Sequence, residues 1–175
     1  MIEVSLDDFD LAELLAEVEQ TFEKEAQDLR LSLTVQELHL AMRTERRRLL
    51  QSLLNLVSNA LKYTEQGTVT VTARQEEEQG KVWISVTDTG IGIEAADQRN
   101  LFQAFSRIQS PISARILGTG LGLYLAKKIV TEFLQGTVSL TSEPGSGSTF
   151  SISIPSRLDG EGGQGEPAVA GGMKL

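Results

Sequence analysis

Two carboxamides and an ammonium, Asn55, Asn59 and Lys62, stand four and then three residues apart in the run Asn55-Leu56-Val57-Ser58-Asn59-Ala60-Leu61-Lys62-Tyr63. On a helix turning about 100° per residue they cluster within roughly 60° of one another, and Arg48 falls on the same side. Leu49, Leu50, Leu53, Leu54, Leu56, Val57, Ala60 and Leu61 fill an arc of roughly 160° opposite them. A helix with so wide an apolar face packs deeply into a core. Amide oxygens suit a hard cation such as Mg²⁺. An ammonium one turn further suits a phosphate. The plainer alternative is a solvated stripe on an amphipathic helix.

Two further motifs offer chemistry. Asp88-Thr89-Gly90-Ile91-Gly92-Ile93 ends an alternating segment. Its carboxylate can accept from a ligand amino group such as that of adenine, and its glycines permit a tight turn. A strand-ending turn is the plainer alternative. Asp-Thr-Gly is also the nucleophile loop of aspartic proteases, but those need two carboxylates sharing a proton, hence here a homodimer. Gly118-Thr119-Gly120-Leu121-Gly122-Leu123 opens a helix. Bare backbone before a helix N-terminus suits an anion. The spacing matches neither a dinucleotide-binding fingerprint nor a Walker A loop.

The positioning elements are legible from periodicity. Asp7 and Asp8 are expected to cap a first helix reaching Leu29. Short strands are expected at 31–35 and 38–42. Thr44 is expected to cap the asparagine-bearing helix, which reaches about Tyr63. A hairpin is expected from 68–74 and 81–88 around an acidic tip at 76–80. A short helix is expected around 97–105, then an irregular, lid-like stretch to 117. A helix from about Gly120 to Leu134 and a second hairpin, 136–142 with 148–155, complete the order. This predicts an α+β fold: a two-layer sandwich of a mixed, largely antiparallel sheet with helices on one face. Residues 1–155 form the domain. The glycine-rich residues 156–175 read as a disordered tail.

Composition narrows the function. The chain has 175 residues, 40% of them apolar, and a formal charge of −8. That charge disfavours general nucleic-acid binding. Cysteine is absent, which removes disulfides and thiolate metal sites and fits a cytoplasmic location. The single histidine, His39, leaves no room for imidazole-rich sites and is expected to be structural, within a strand. No apolar run reaches the roughly 18 residues of a membrane span, so no membrane contact is expected.

In order and spacing these motifs resemble the catalytic, ATP-binding domain of sensor histidine kinases, within the gyrase, Hsp90, histidine kinase and MutL ATPase superfamily. The N-box is residues 55–64, the G1 box Asp88-Thr89-Gly90-Ile91-Gly92, the F-box Leu101-Phe102-Gln103-Ala104-Phe105 and the G2 box Gly118-Thr119-Gly120-Leu121-Gly122. The closing Gly145-Ser146-Gly147-Ser148-Thr149-Phe150 is similar to the last box. The resemblance covers roughly residues 5–155.

The resemblance implies a Bergerat-type fold, ATP and Mg²⁺. It implies that Asn59 ligates the metal with Asn55 assisting, that Lys62 contacts phosphate and that Tyr63 flanks the nucleotide. Asp88 accepts from the adenine amine, with Thr149 nearby, and Gly90 and Gly92 let the base approach. Ile93, Phe105, Gly118, Thr119, Gly120, Leu121, Gly122 and Leu123 complete the nucleotide site. Arg107 contacts the γ-phosphate. Asn55 replaces the glutamate that activates water in the hydrolysing branches. Glu45 stands where the family has an aspartate.

The implied reaction passes the γ-phosphoryl to a histidine on a separate dimerisation domain, of the same or a partner protein, for relay to a response regulator. His39 lacks the acceptor context. The parent is expected to be a cytoplasmic protein or the cytoplasmic part of a membrane-anchored sensor. An anti-sigma-type serine kinase, a related ATPase and a non-enzymatic nucleotide-binding module are the alternatives.

Overall fold

A computed structural model describes residues 4–102 and 121–159. The strands and helices are β1 (Asp7–Asp10), α1 (Leu11–Leu29), β2 (Ser32–Val35), β3 (Ala41–Thr44), α2 (Arg46–Lys62), β4 (Thr68–Glu76), β5 (Lys81–Asp88), α3 (Ala95–Gln98), α4 (Gly122–Glu132), β6 (Thr137–Glu143) and β7 (Gly147–Pro155). Five strands form one sheet in the order β2-β4-β5-β7-β6. β2 runs parallel to β4, and the other pairs are antiparallel. The expected mixed, largely antiparallel sheet is what forms.

Alternation places the layers. Val82, Ile84, Val86 and Asp88 of β5 are buried, while Lys81, Trp83, Ser85 and Thr87 between them are not. On β7, Ser148, Phe150, Ile152 and Ile154 share the buried face. α2 lies over this face with Leu49, Leu53, Leu56, Val57, Ala60 and Leu61 buried. Each fully buried leucine contributes about 1.5–3 kcal/mol. That outweighs anything an exposed polar stripe supplies, so these residues fix the rotation that turns Asn55, Asn59 and Lys62 away from the core.

The structure departs from expectation around α1 and β3. The α1 cap is Asp10, whose Oδ1 accepts from the Ala12 N–H at 3.0 Å. Asp7 and Asp8 lie instead in β1, which pairs antiparallel with β3 as a separate ribbon. Four residues rich in aspartate carry no strand signal, and the pairing itself makes them extended. The second expected strand starts later, at Ala41. Thr44 does not cap α2. The N-cap is Glu45, which makes no side-chain cap bond, and the Thr44 hydroxyl is buried without a partner among the described residues. A short helix forms at Ala95–Gln98, starting ahead of the expected 97–105, whose last residues, 103–105, lie outside the described residues. The domain also runs past 155: Leu158 is buried, and its N–H bonds the Arg43 carbonyl at 2.7 Å. Residues 160–175 of the expected tail, and most of the expected lid, lie outside the described residues.

His39 is not in a strand. It is exposed before β3, with Nδ1 2.9 Å from Asp10 and Nε2 3.1 Å from Glu37. The hydrogen bond to Asp10 raises its pKa and lowers that of Asp10. A raised folded-state pKa means the contribution is full below the unfolded value of about 6.5 and is lost as pH rises through the folded value. The melting-temperature gap between wild type and His39→Ala is therefore expected to be widest in mild acid. It should close at alkaline pH. A gap that widened with rising pH would contradict this pairing.

Candidate functional site

The last turns of α2 and the end of β5 meet over a narrow cleft. Asn59, Tyr63, Asp88, Ile91, Gly92, Ile93, Ser148 and Phe150 line it. Thus the structure brings together Asn59, Tyr63, Asp88, Gly92 and Ile93 of the expected set. Asn55 lies one turn before Asn59, with Nδ2 buried and without a partner among the described residues. Lys62 is exposed at the end of α2.

Asp88 sits on the buried side of β5 and lines the cleft, with only 5% of the residue exposed. The Gly90 N–H donates to Oδ1 at 2.9 Å. Burial pushes the Asp88 pKa up, while the Gly90 and Ser148 N–H groups pull it down less strongly. The result is a desolvated acceptor aimed at the cleft.

The turn after Asp88 requires its glycines. A Cβ on Gly90 would stand 2.3 Å from the Tyr63 carbonyl oxygen, so this glycine lets the turn pack beneath the end of α2. Gly92 has φ +73°, and a Cβ there would stand 2.0 Å from the Glu143 carbonyl oxygen. Left-handed strain and backbone overlap add, so Gly92→Ala is expected to cost roughly 3 kcal/mol of stability. Urea unfolding checks this. A wild-type midpoint for Gly92→Ala would mean that the turn relaxes freely.

Thr149 does not belong to the cleft. It pairs with Thr87 on the opposite face of the sheet, Oγ1 to Oγ1 at 3.0 Å. Ser148, paired with Asp88, occupies the cleft instead. The alternation carried back from Ile154, Ile152 and Phe150 reaches Ser148, not Thr149, so the signal was present in the sequence. Phe150 and Ile91 were also missed as lining residues. Phe102 meets Phe150 edge to face, centroids 6.0 Å apart, which fixes the start of the F-box against the floor of the cleft.

Arg48 is not directed to the cleft. It bonds the buried Glu45 at 3.2 Å and stacks 3.6 Å over the Phe133 ring. Arg46 bonds Glu17 at 2.9 Å and ties α2 to α1. Leu121 caps α4, Gly122 opens it, and Leu123 is buried in the core. Among the described residues nothing lies within 4 Å of a Cβ built on Gly122. Phe105, Arg107, Gly118, Thr119 and Gly120 lie outside the described residues.

Comparison with known proteins shows the family and the fold. Residues 44–158 match the family described as histidine kinase-, DNA gyrase B-, and HSP90-like ATPase. The chain is 44% identical over 126 residues to the sensor protein GacS of Pseudomonas syringae pv. syringae, covering 70% of this chain and 14% of GacS. It is 43% identical over 126 residues to the virulence sensor protein BvgS of Bordetella bronchiseptica, covering 70% of this chain and 10% of BvgS. It thus spans a small part of the length of these relatives. Among solved structures, full-length ShkA in complex with AMPPNP superposes with a TM-score of 0.77 at 31% identity, covering 88% of this chain and 32% of ShkA. The catalytic domain of histidine kinase ThkA superposes with a TM-score of 0.73 at 27% identity, covering 88% of this chain and 99% of that domain. ThkA has also been solved in complex with the response regulator protein TrrA; that match has a TM-score of 0.69 at 25% identity and covers 87% of this chain and 42% of that ThkA chain. With its matched segment spanning the asparagine helix, the Asp88 turn and the closing hairpin, this chain belongs to the histidine kinase-, DNA gyrase B-, and HSP90-like ATPase family.

Proposed function

We propose that this chain is the ATP-binding catalytic domain of a two-component sensor histidine kinase. It transfers the γ-phosphoryl of ATP to a histidine on a separate dimerisation domain, and the phosphoryl then passes to a response-regulator aspartate. One observation carries the reading: Asn59 and the desolvated Asp88 carboxylate face one cleft from two different elements. An amide and a carboxylate so placed address the two ends of a nucleotide. The AMPPNP bound by ShkA and the response regulator bound by ThkA support it. No helix among the described residues is long and apolar enough to cross a membrane. The reading places this domain on the cytoplasmic side.

In this reading Asp88 takes the adenine amine and Tyr63 flanks the nucleotide, with Gly90 shaping the turn beneath. Asn59 faces the phosphates with Asn55 one turn away, and Lys62 supplies an exposed cation at the end of α2. Among the described residues no group of three His, Asp or Glu side chains could hold a cation. A magnesium ion would therefore take the Asn59 amide oxygen, nucleotide phosphates and water as ligands, and would neutralise phosphate charge. The residues fit such a group. The Asn55 Nδ2, buried and without a partner among the described residues, costs about 1–3 kcal/mol. A phosphate oxygen, accepting from that NH₂, relieves it.

Equilibrium binding of a non-hydrolysable ATP analogue, with and without Mg²⁺, tests the proposal. Binding should be Mg²⁺-dependent in wild type, and Asn59→Ala should lose most of the Mg²⁺-dependent gain. Equal affinity in EDTA and in Mg²⁺ would remove Asn59 from the metal site.

A further inference from the structure

Resting on the ATP-binding reading above, we propose that Ser142, which does not line the cleft, makes the site selective for a 6-amino over a 6-oxo purine. It does so by fixing the proton of the Ser148 hydroxyl.

The argument is one of hydrogen-bond accounting. The Ser142 hydroxyl lies within bonding distance of three groups. The Ile93 N–H donates to its Oγ at 2.9 Å. The Gly147 carbonyl oxygen lies 3.0 Å away and can only accept. The Ser148 Oγ lies 2.8 Å away and can do either. A serine hydroxyl has one proton and two lone pairs. If the Ser142 proton goes to Gly147, its lone pairs receive Ile93 and Ser148, and every group is satisfied. If it goes to Ser148, the Gly147 oxygen faces a lone pair at 3.0 Å with no proton between them. The first arrangement wins. Ser148 is only 6% exposed, so water does not compensate the second.

Ser148 therefore spends its proton on Ser142 and offers the cleft lone pairs only. Asp88, its cross-strand neighbour, is ionised in the binding form and offers lone pairs too. Two adjacent acceptors match an exocyclic amine, whose one nitrogen carries two hydrogens. A carbonyl at that place would face two acceptors across a desolvated gap. A site built to bond N–H groups rejects the analogue lacking them because its buried acceptors are left unpaired. Ser142 is thus a positioning residue. Gln98 of α3 supports it by donating to the Ile93 carbonyl at 2.9 Å, which holds the Ile93 N–H in place.

The experiment uses the full chain with Mg²⁺ and compares dissociation constants for ATP and inosine triphosphate. These nucleotides differ only at the purine 6-position and the protonation of N1. Wild type should prefer ATP by about tenfold or more. In Ser142→Ala the Ser148 hydroxyl is free to donate to a carbonyl, and the preference should shrink by about five- to tenfold, largely through tighter inosine triphosphate binding. Ser142→Thr keeps the hydroxyl and should keep the preference. A merely structural role would weaken both nucleotides equally, and that result, or an unchanged ratio, would overturn the proposal. If Ser142→Ala does not fold, Ser142→Cys, whose thiol is a weak acceptor, carries the same comparison. Wild type binding neither nucleotide would defeat the ATP-binding reading itself. Wild type binding ATP, with a ratio indifferent to Ser142, would defeat only this inference.

Discussion

Asp88→Asn is expected to weaken ATP binding about 100-fold, roughly 2.7 kcal/mol, with or without Mg²⁺. The carboxylate offers acceptors in two directions, toward the Gly90 N–H at 2.9 Å and toward the cleft. An amide of the same shape offers one oxygen and one NH₂ group. If the oxygen keeps Gly90, the NH₂ faces the adenine amine, donor against donor. If the amide flips, the clash moves to Gly90. Either way a buried donor is left unpaired, because only 5% of the residue is exposed. Isothermal calorimetry on both proteins reads the change. ATP affinity equal to wild type would show that Asp88 does not hold the base.

The same residue predicts a pH dependence. Burial raises the Asp88 pKa, so protonation begins at higher pH than for a solvated aspartate. Binding uses the carboxylate, and ATP affinity should therefore fall as pH drops through this raised value. Asp88→Asn should lack that step. Fold stability has the opposite sign for this group. Between the unfolded pKa and the raised folded pKa the native state holds the proton and the unfolded chain does not, so the contribution falls as pH rises. A fall of both affinity and stability on acidification would assign the stability change to other groups.

Much of the fold was legible because two periodicities dominate it. The apolar arc of α2 and the alternation in β4, β5 and β7 read the same in one dimension as in three. What failed was local chemistry decided by tertiary pairing. β1 exists because β3 runs beside it, and that pairing holds Thr44 in a strand and moves the α1 cap to Asp10. Arg48 shares a helical face with Asn55 and Asn59 in projection, but a buried glutamate one turn back and the Phe133 ring hold it elsewhere. The exchange of Thr149 for Ser148 is different in kind. The family motif spans both hydroxyls, and only strand phase separates them. Ser142 carried no motif signal, since its role depends on a carbonyl and a hydroxyl brought to it across a hairpin.

The second large effect concerns the reaction. Hydrolysis needs a general base for water, worth about 10²–10⁴-fold. In the proposed reading Asn55 holds the position of the glutamate that activates water in hydrolysing relatives, and an amide does not take a proton near neutral pH. Phosphoryl transfer instead needs positioning and charge neutralisation. Asn59, Lys62 and Arg107 are proposed to supply these. An imidazole presented by a docked partner can attack without a protein base. His39 is not that imidazole. It is held between Asp10 and Glu37, in a groove lined by β1, the start of β3 and Arg157, apart from the cleft of Asn59 and Asp88. The isolated chain should accordingly bind ATP, turn it over very slowly and remain unlabelled by γ-³²P-ATP. Adding a cognate histidine-bearing helical domain should place an acid-labile, alkali-stable phosphoryl group on that domain, and Asn59→Ala should remove it. Rapid release of phosphate by the isolated chain, or label recovered on His39, would show that water or the chain itself is the acceptor and would sink the histidine-kinase mechanism for this domain.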